Sequence, residues 1–203
     1  METKLARGIS SLFHPLLIPT YVLLVLLNLN ALLSQMVPLS FKLIISGLVF
    51  LTTFLFPLVF TWLLARLGLI SSHILARRED QIYPILAISV FYYVTYYLLK
   101  GIHISTIFSY YMLGATLLAT LSLVVNFYRK ISLYMVATGS FTGLFLGLSM
   151  NFGINFAAEI SSSIILAGII GFARLKSDMH KPAEVYTGYA MGVIVMTLLL
   201  ILL

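Results

Sequence analysis

The chain has 203 residues, of which 61% are hydrophobic and 9% charged, against about 25% charged in an average soluble domain. A soluble globular fold is excluded, and cysteine is absent, which removes disulfides, thiolate metal sites and cysteine nucleophiles. The net charge of +6 reads as membrane topology and phosphate contact rather than nucleic-acid binding, because a bilayer-embedded chain has little free basic surface and no aromatic-basic RNA motif occurs.

The expected fold class is all-α, an integral membrane helical bundle of about seven transmembrane helices with six as the alternative, forming one domain over residues 1–203. A first apolar run from Ile9 to Leu33 follows Lys4 and Arg7. It is too long for a signal-peptide core and lacks a small-residue cleavage site, so it reads as a retained span with His14 in a structural role near its start. A second span covers about Leu43 to Leu67. Pro57 is positioned to kink it, and Trp62 and Arg66 are expected as interfacial anchors.

The densest charge cluster follows: His73, Arg77, Arg78, Glu79, Asp80, then Tyr83 and Pro84. Spans near Pro84 to Leu99 and Ser105 to Phe127 come next. Their tyrosines Tyr92, Tyr93, Tyr96, Tyr97, Tyr110 and Tyr111 read as belt and packing residues, with the lining of a headgroup pocket as the alternative. The turn Arg129, Lys130, Ile131, Ser132, Leu133, Tyr134 leads into a helix carrying Gly139, Gly143 and Gly147 at four-residue spacing, a pattern that lets a neighbouring backbone approach closely. Two further spans, about Phe156 to Phe172 and Val185 to Leu203, bracket the last polar stretch.

That stretch runs from Ala173 to Gly192 and carries the chemistry. Arg174 stands six residues before His180, and Glu184 stands four after it. A turn bends the cation toward the ring, and one helical turn brings the carboxylate to it. A neutral imidazole is a good nucleophile when a carboxylate holds its other nitrogen, and a guanidinium grips phosphate oxygens bidentately.

This spacing resembles the third signature of the type 2 phosphatidic acid phosphatase family, Ser-Arg, five residues, His, three residues, Asp. Ala173 replaces its serine and Glu184 its aspartate, while Gly188 and Gly192 also look like the family. The first signature, a lysine, six residues, then Arg-Pro, is eroded: Pro84 is present, but Tyr83 precedes it and Ala76 holds the lysine position, leaving Arg77 and Arg78 as candidate phosphate cations. The second, Ser-Gly-His, appears as Ser132, Leu133 and Tyr134. The proton-donating histidine is thus replaced by a phenol whose ordinary pKa near 10 suits neutral pH poorly.

The resemblance implies a phosphatase-like core over about residues 77–192, a phosphorylated lipid as substrate and a metal-independent hydrolase with a degenerate proton donor. It implies no cofactor. His180 would attack phosphorus to form a phosphohistidine, Glu184 would orient its ring, and Tyr134 would replace the missing donor. Arg174, Arg77, Arg78 and Ser132 would hold the phosphate. A catalytically silent relative that binds phosphorylated lipid, and an unrelated small transporter or assembly factor, are the alternatives. Transport is disfavoured because charge collects at helix ends rather than mid-span.

Two spans separate the first cluster from the second, and two the second from the third, so all three share one membrane face. The same face holds Lys4, Arg7, Arg66, Arg77, Arg78, Arg129, Lys130, Arg174, Lys176 and Lys181, and the other only Lys42 and Lys100. The positive-inside rule therefore predicts a cytoplasmic cluster face, with the bacterial inner membrane as the expected location.

Overall fold

The computed structural model describes residues 13–29, 38–70, 79–102, 106–177 and 180–202. Among them seven helices form: α1 Pro15–Asn28, α2 Leu39–Arg66, α3 Glu79–Ile102, α4 Thr106–Tyr128, α5 Leu133–Phe152, α6 Ala157–Lys176 and α7 Pro182–Ile201. No strand occurs among the described residues. Six of the helices, α2 to α7, are long and apolar enough to cross a membrane. Helix α1 falls short of the roughly 20 residues a crossing takes, so the described part of the first predicted span is a shorter apolar helix. The protein is an all-helical integral membrane bundle.

Its outward faces are apolar. Leu43, Ile44, Val59, Phe127, Ile165 and Phe172 are exposed large hydrophobics; in water such a belt would be an association surface, and in a bilayer it is the lipid contact. Trp62 lies at the end of α2 with the Arg66 guanidinium 4.8 Å from its ring centroid, the arrangement expected of an interfacial anchor.

Proline 57 acts one turn upstream of itself. It has no N–H to donate and its ring crowds the preceding turn, and residues Leu51–Leu55 take a π-helical turn. Thr52 and Thr53 hydroxyls donate to the Leu48 and Val49 carbonyls at 2.9 and 2.8 Å. They keep the widened turn's backbone satisfied where no water reaches. The turn also places Phe54 beside α1, with its ring centroid 6.1 Å from that of His14.

The centre of the bundle is the pair α5 and α7. Lipid gives no hydrophobic drive for helix association, so close packing and interhelical hydrogen bonds must supply it. The glycine ladder does so: a Cβ on Gly139 would collide with the Tyr189 carbonyl oxygen, one on Gly192 with the Val136 carbonyl oxygen, and one on Gly143 would lie 2.6 Å from the Val193 carbonyl oxygen. Tyr189 Oη donates to Thr142 Oγ1 at 3.1 Å and Thr197 Oγ1 to the Gly143 carbonyl at 3.2 Å. Helix α5 ends on Gly153, whose φ of 66° is the left-handed conformation that glycine tolerates without a steric penalty.

The tyrosines split. Tyr92 and Tyr111 are buried, whereas Tyr93 and Tyr97 are exposed. Tyr111 Oη and Ser140 Oγ are 3.3 Å apart, which joins α4 to α5. Tyr92 and Tyr111 also line an apolar cavity of about 50 Å³ between α1, α3, α4 and α5.

Candidate active site

Helix α6 ends at Lys176, with the Ser177 N–H donating to the Ala173 carbonyl at 3.2 Å. Arg174 therefore sits in the last turn, where exposed carbonyls favour a cation. The chain turns and re-enters as α7. Pro182 forces Lys181 into extended backbone, φ −80° and ψ 154°, and itself occupies the first helical turn, where its missing N–H costs nothing. Glu184 follows in that first turn, and its carboxylate is 2.8 Å from His180 Nδ1.

This is the pair expected from the four-residue spacing. The His180 side chain is 5% exposed and that of Glu184 17%. A carboxylate at Nδ1 selects the tautomer with the proton there and leaves the Nε2 lone pair available. Burial pushes the His180 pKa down to about 4, opposed by the hydrogen bond to Glu184 and assisted by the charges of Arg174 and Lys130. The ring is consequently neutral at physiological pH.

Arg174 and Tyr134 form a second pair. The guanidinium carbon lies over the tyrosine ring, 4.2 Å from its centroid, a cation–π contact. Arg174 is only 8% exposed, and its Nε has no hydrogen-bond partner among the described residues. Tyr134 in turn meets His14, whose ring is 5.8 Å away centroid to centroid at 70°.

Ser132 ties the two loops together. Its backbone N–H donates to the Glu184 carbonyl at 3.3 Å and its carbonyl accepts from Met135 and Val136. A Cβ on Gly188 would stand 2.9 Å from the Ser132 carbonyl oxygen, so glycine there lets α7 close over the α5 start. Ser132 is fully buried, and its Oγ is unpartnered among the described residues.

The tertiary structure thus gathers His180, Glu184, Arg174, Tyr134 and Ser132 at one end of the bundle. Arg77 and Arg78 lie outside the described residues. The first cluster's described part opens α3, with Asp80 and Gln81 buried. Two residues enter that the sequence reading had given other duties. Lys130, counted there for topology alone, lies close enough for its charge to act on His180, and burial lowers its own pKa while Glu184 raises it. His14, read as structural, belongs to the same corner through Tyr134. The adjacency of Lys130 to Ser132 was the available clue to the first; nothing local pointed to the second. Among the described residues no group of three His, Asp or Glu side chains is placed to hold a metal ion.

Comparison with protein-family models, with curated proteins and with solved structures finds no match.

Proposed function

We propose that the protein is a lipid phosphate or pyrophosphate phosphatase related to the type 2 phosphatidic acid phosphatases, acting through a phosphohistidine. The observation that carries this reading is the convergence of two distant loops: the carboxylate-held, neutral His180 and a buried Arg174 with an unpartnered Nε from the α6–α7 junction, and Tyr134 and Lys130 from the junction of α4 and α5. A buried cation is costly unless something pairs with it, and phosphate oxygens fit a guanidinium edge.

In this mechanism the lone pair of His180 Nε2 attacks phosphorus as the ester P–O bond breaks. Glu184 holds Nδ1–H and stabilises the charge that develops on the ring. Arg174 and Lys130 neutralise the phosphate oxygens. The departing oxygen takes a proton from the Tyr134 phenol; water then attacks the phosphohistidine, returns the proton and releases phosphate. A lipid substrate is supported by the apolar cavity, whose wall includes Leu16 and Leu133, close in sequence to His14 and Tyr134. Its size suits a few methylene groups. A bacterial inner-membrane location belongs to the same proposal.

The second reading is a silent binder of phosphorylated lipid. It is favoured by Tyr134, which lies against Arg174 and is a weak acid at neutral pH. Phosphate release from dioctanoyl phosphatidic acid and from a short isoprenyl diphosphate, by purified protein in detergent, separates the two. Saturable binding without release would leave only the binder.

Two expected results follow. Tyr134→His, which places an imidazole at the donor position, raises kcat by about 10²-fold, the lower end of general acid contributions; an unchanged or lower kcat counts against Tyr134 as donor. The acid limb of kcat/KM reports the free enzyme's essential base. Since His180 must be neutral to attack and stays neutral down to about pH 4, activity holds as pH falls through 6.5 and declines only as it approaches that value. A decline centred on 6.5 would show an ordinary solvated imidazole at work.

A further inference from the structure

We infer that His14 is a further arm of this site: a neutral hydrogen-bond donor that presents Nε2–H to an oxygen of the phosphate group held by Arg174. The inference rests on the phosphate reading above and adds to it a residue from the far end of the chain.

Three observations carry it. The first is place. His14 lies edge-to-face on Tyr134 at 5.8 Å between ring centroids, and Arg174 stacks on that same tyrosine at 4.2 Å. The Arg174 charge reaches the His14 ring. The second is how the ring is held. Pro15 keeps His14 in extended backbone, φ −60° and ψ 136°, and Nδ1 accepts the Leu16 N–H at 3.4 Å as the cap of the first turn of α1. An accepting Nδ1 puts the proton of a neutral ring on Nε2. The third is that Nδ1 carries the ring's hydrogen bond to the chain, which leaves Nε2 outside that bond, while Phe54, placed by the π-helical turn of α2, meets the ring at 6.1 Å between centroids.

Burial first, and the groups facing His14 second, keep the ring neutral. Phe54 is apolar, Tyr134 is a phenol, and Arg174 is a cation that disfavours a second positive charge nearby. A neutral imidazole is still an effective donor to an anionic oxygen, and it adds no charge repulsion against Arg174. A helix cap alone would need only an acceptor at this position, a task asparagine or serine performs as well. Histidine adds a donor on the opposite side of the ring.

That difference supplies the test. His14→Asn keeps an acceptor for the Leu16 N–H and deletes the distal donor; His14→Gln carries an amide N–H out toward the position of Nε2. Affinity for inorganic phosphate and apparent affinity for dioctanoyl phosphatidic acid are measured on the full chain in detergent, with thermal melting of each variant. The expected result is about tenfold weaker affinity for both probes in His14→Asn at an unchanged melting temperature, the loss expected of one hydrogen bond to a charged group, with His14→Gln within about threefold of wild type. Unchanged phosphate affinity in His14→Asn overturns the assignment, and so does weakening confined to the lipid, which would mark a disturbed chain cavity. Should His14→Asn fail to fold, equal phosphate affinities in His14→Gln and His14→Ala overturn it, and a weaker His14→Ala supports it. Wild-type protein that binds neither probe removes the phosphate site and this donor together, whereas wild-type binding that His14→Asn leaves intact removes the donor alone.

Discussion

Replacing His180 by alanine is expected to abolish phosphate release, a fall of at least about 10³-fold in kcat, while phosphate binding survives within an order of magnitude. The size follows from role: a nucleophile has no substitute in the mechanism, and removing one leaves only the residual catalysis of the surrounding binding groups. Binding survives because Arg174 and Lys130 supply the charge. The split between kcat and affinity is the informative part. If His180 merely plugged the turn before α7, alanine would lower both through misfolding, and melting would fall with them. A wild-type protein whose phosphate release is unaffected by His180→Ala would end the phosphohistidine proposal.

The second large effect concerns the α5 and α7 pair. Gly139→Ala and Gly192→Ala are each expected to destabilise the bundle by about 1–3 kcal/mol, the usual cost of overpacking a closed interface. In each case the new methyl collides with a backbone carbonyl oxygen of the opposing helix. Side chains can rotate away from such a contact and backbone cannot, so the helices must separate. The site should suffer with the fold, because Ser132 and Glu184 are joined across this same interface at 3.3 Å. Gly168→Ala is the control: a Cβ there meets nothing within 4 Å, and on an α-helix alanine is favoured over glycine. Thermal melting in detergent reads the comparison. Equal melting temperatures for Gly192→Ala and Gly168→Ala would mean that the close approach of α5 and α7 contributes nothing.

These two expectations differ in how far they could be read from the chain alone. The pairing of His180 with Glu184 is an i, i+4 contact across a proline-started helix, and Arg174 is held at the end of the preceding helix. Local geometry was sufficient for both. The spans themselves came from hydropathy, since a bilayer leaves few alternatives to a helix for a long apolar run, and the glycine spacing marked one helix face as a packing surface. The described part of the first predicted span is the shorter helix α1.

What the chain by itself determined is therefore its class and its local devices: an all-helical membrane protein, the even number of crossings between polar loops, the carboxylate-held histidine. Only the tertiary structure decided which helix the glycines meet, that Tyr134 stacks on Arg174, that Lys130 acts on His180, and that His14 joins them from the opposite end of the sequence. The physical reason is range. Hydropathy, proline stereochemistry and helical periodicity act within a few residues, whereas the meeting of loops far apart in the chain depends on how glycine-faced helices settle against one another, and no single segment carries that information.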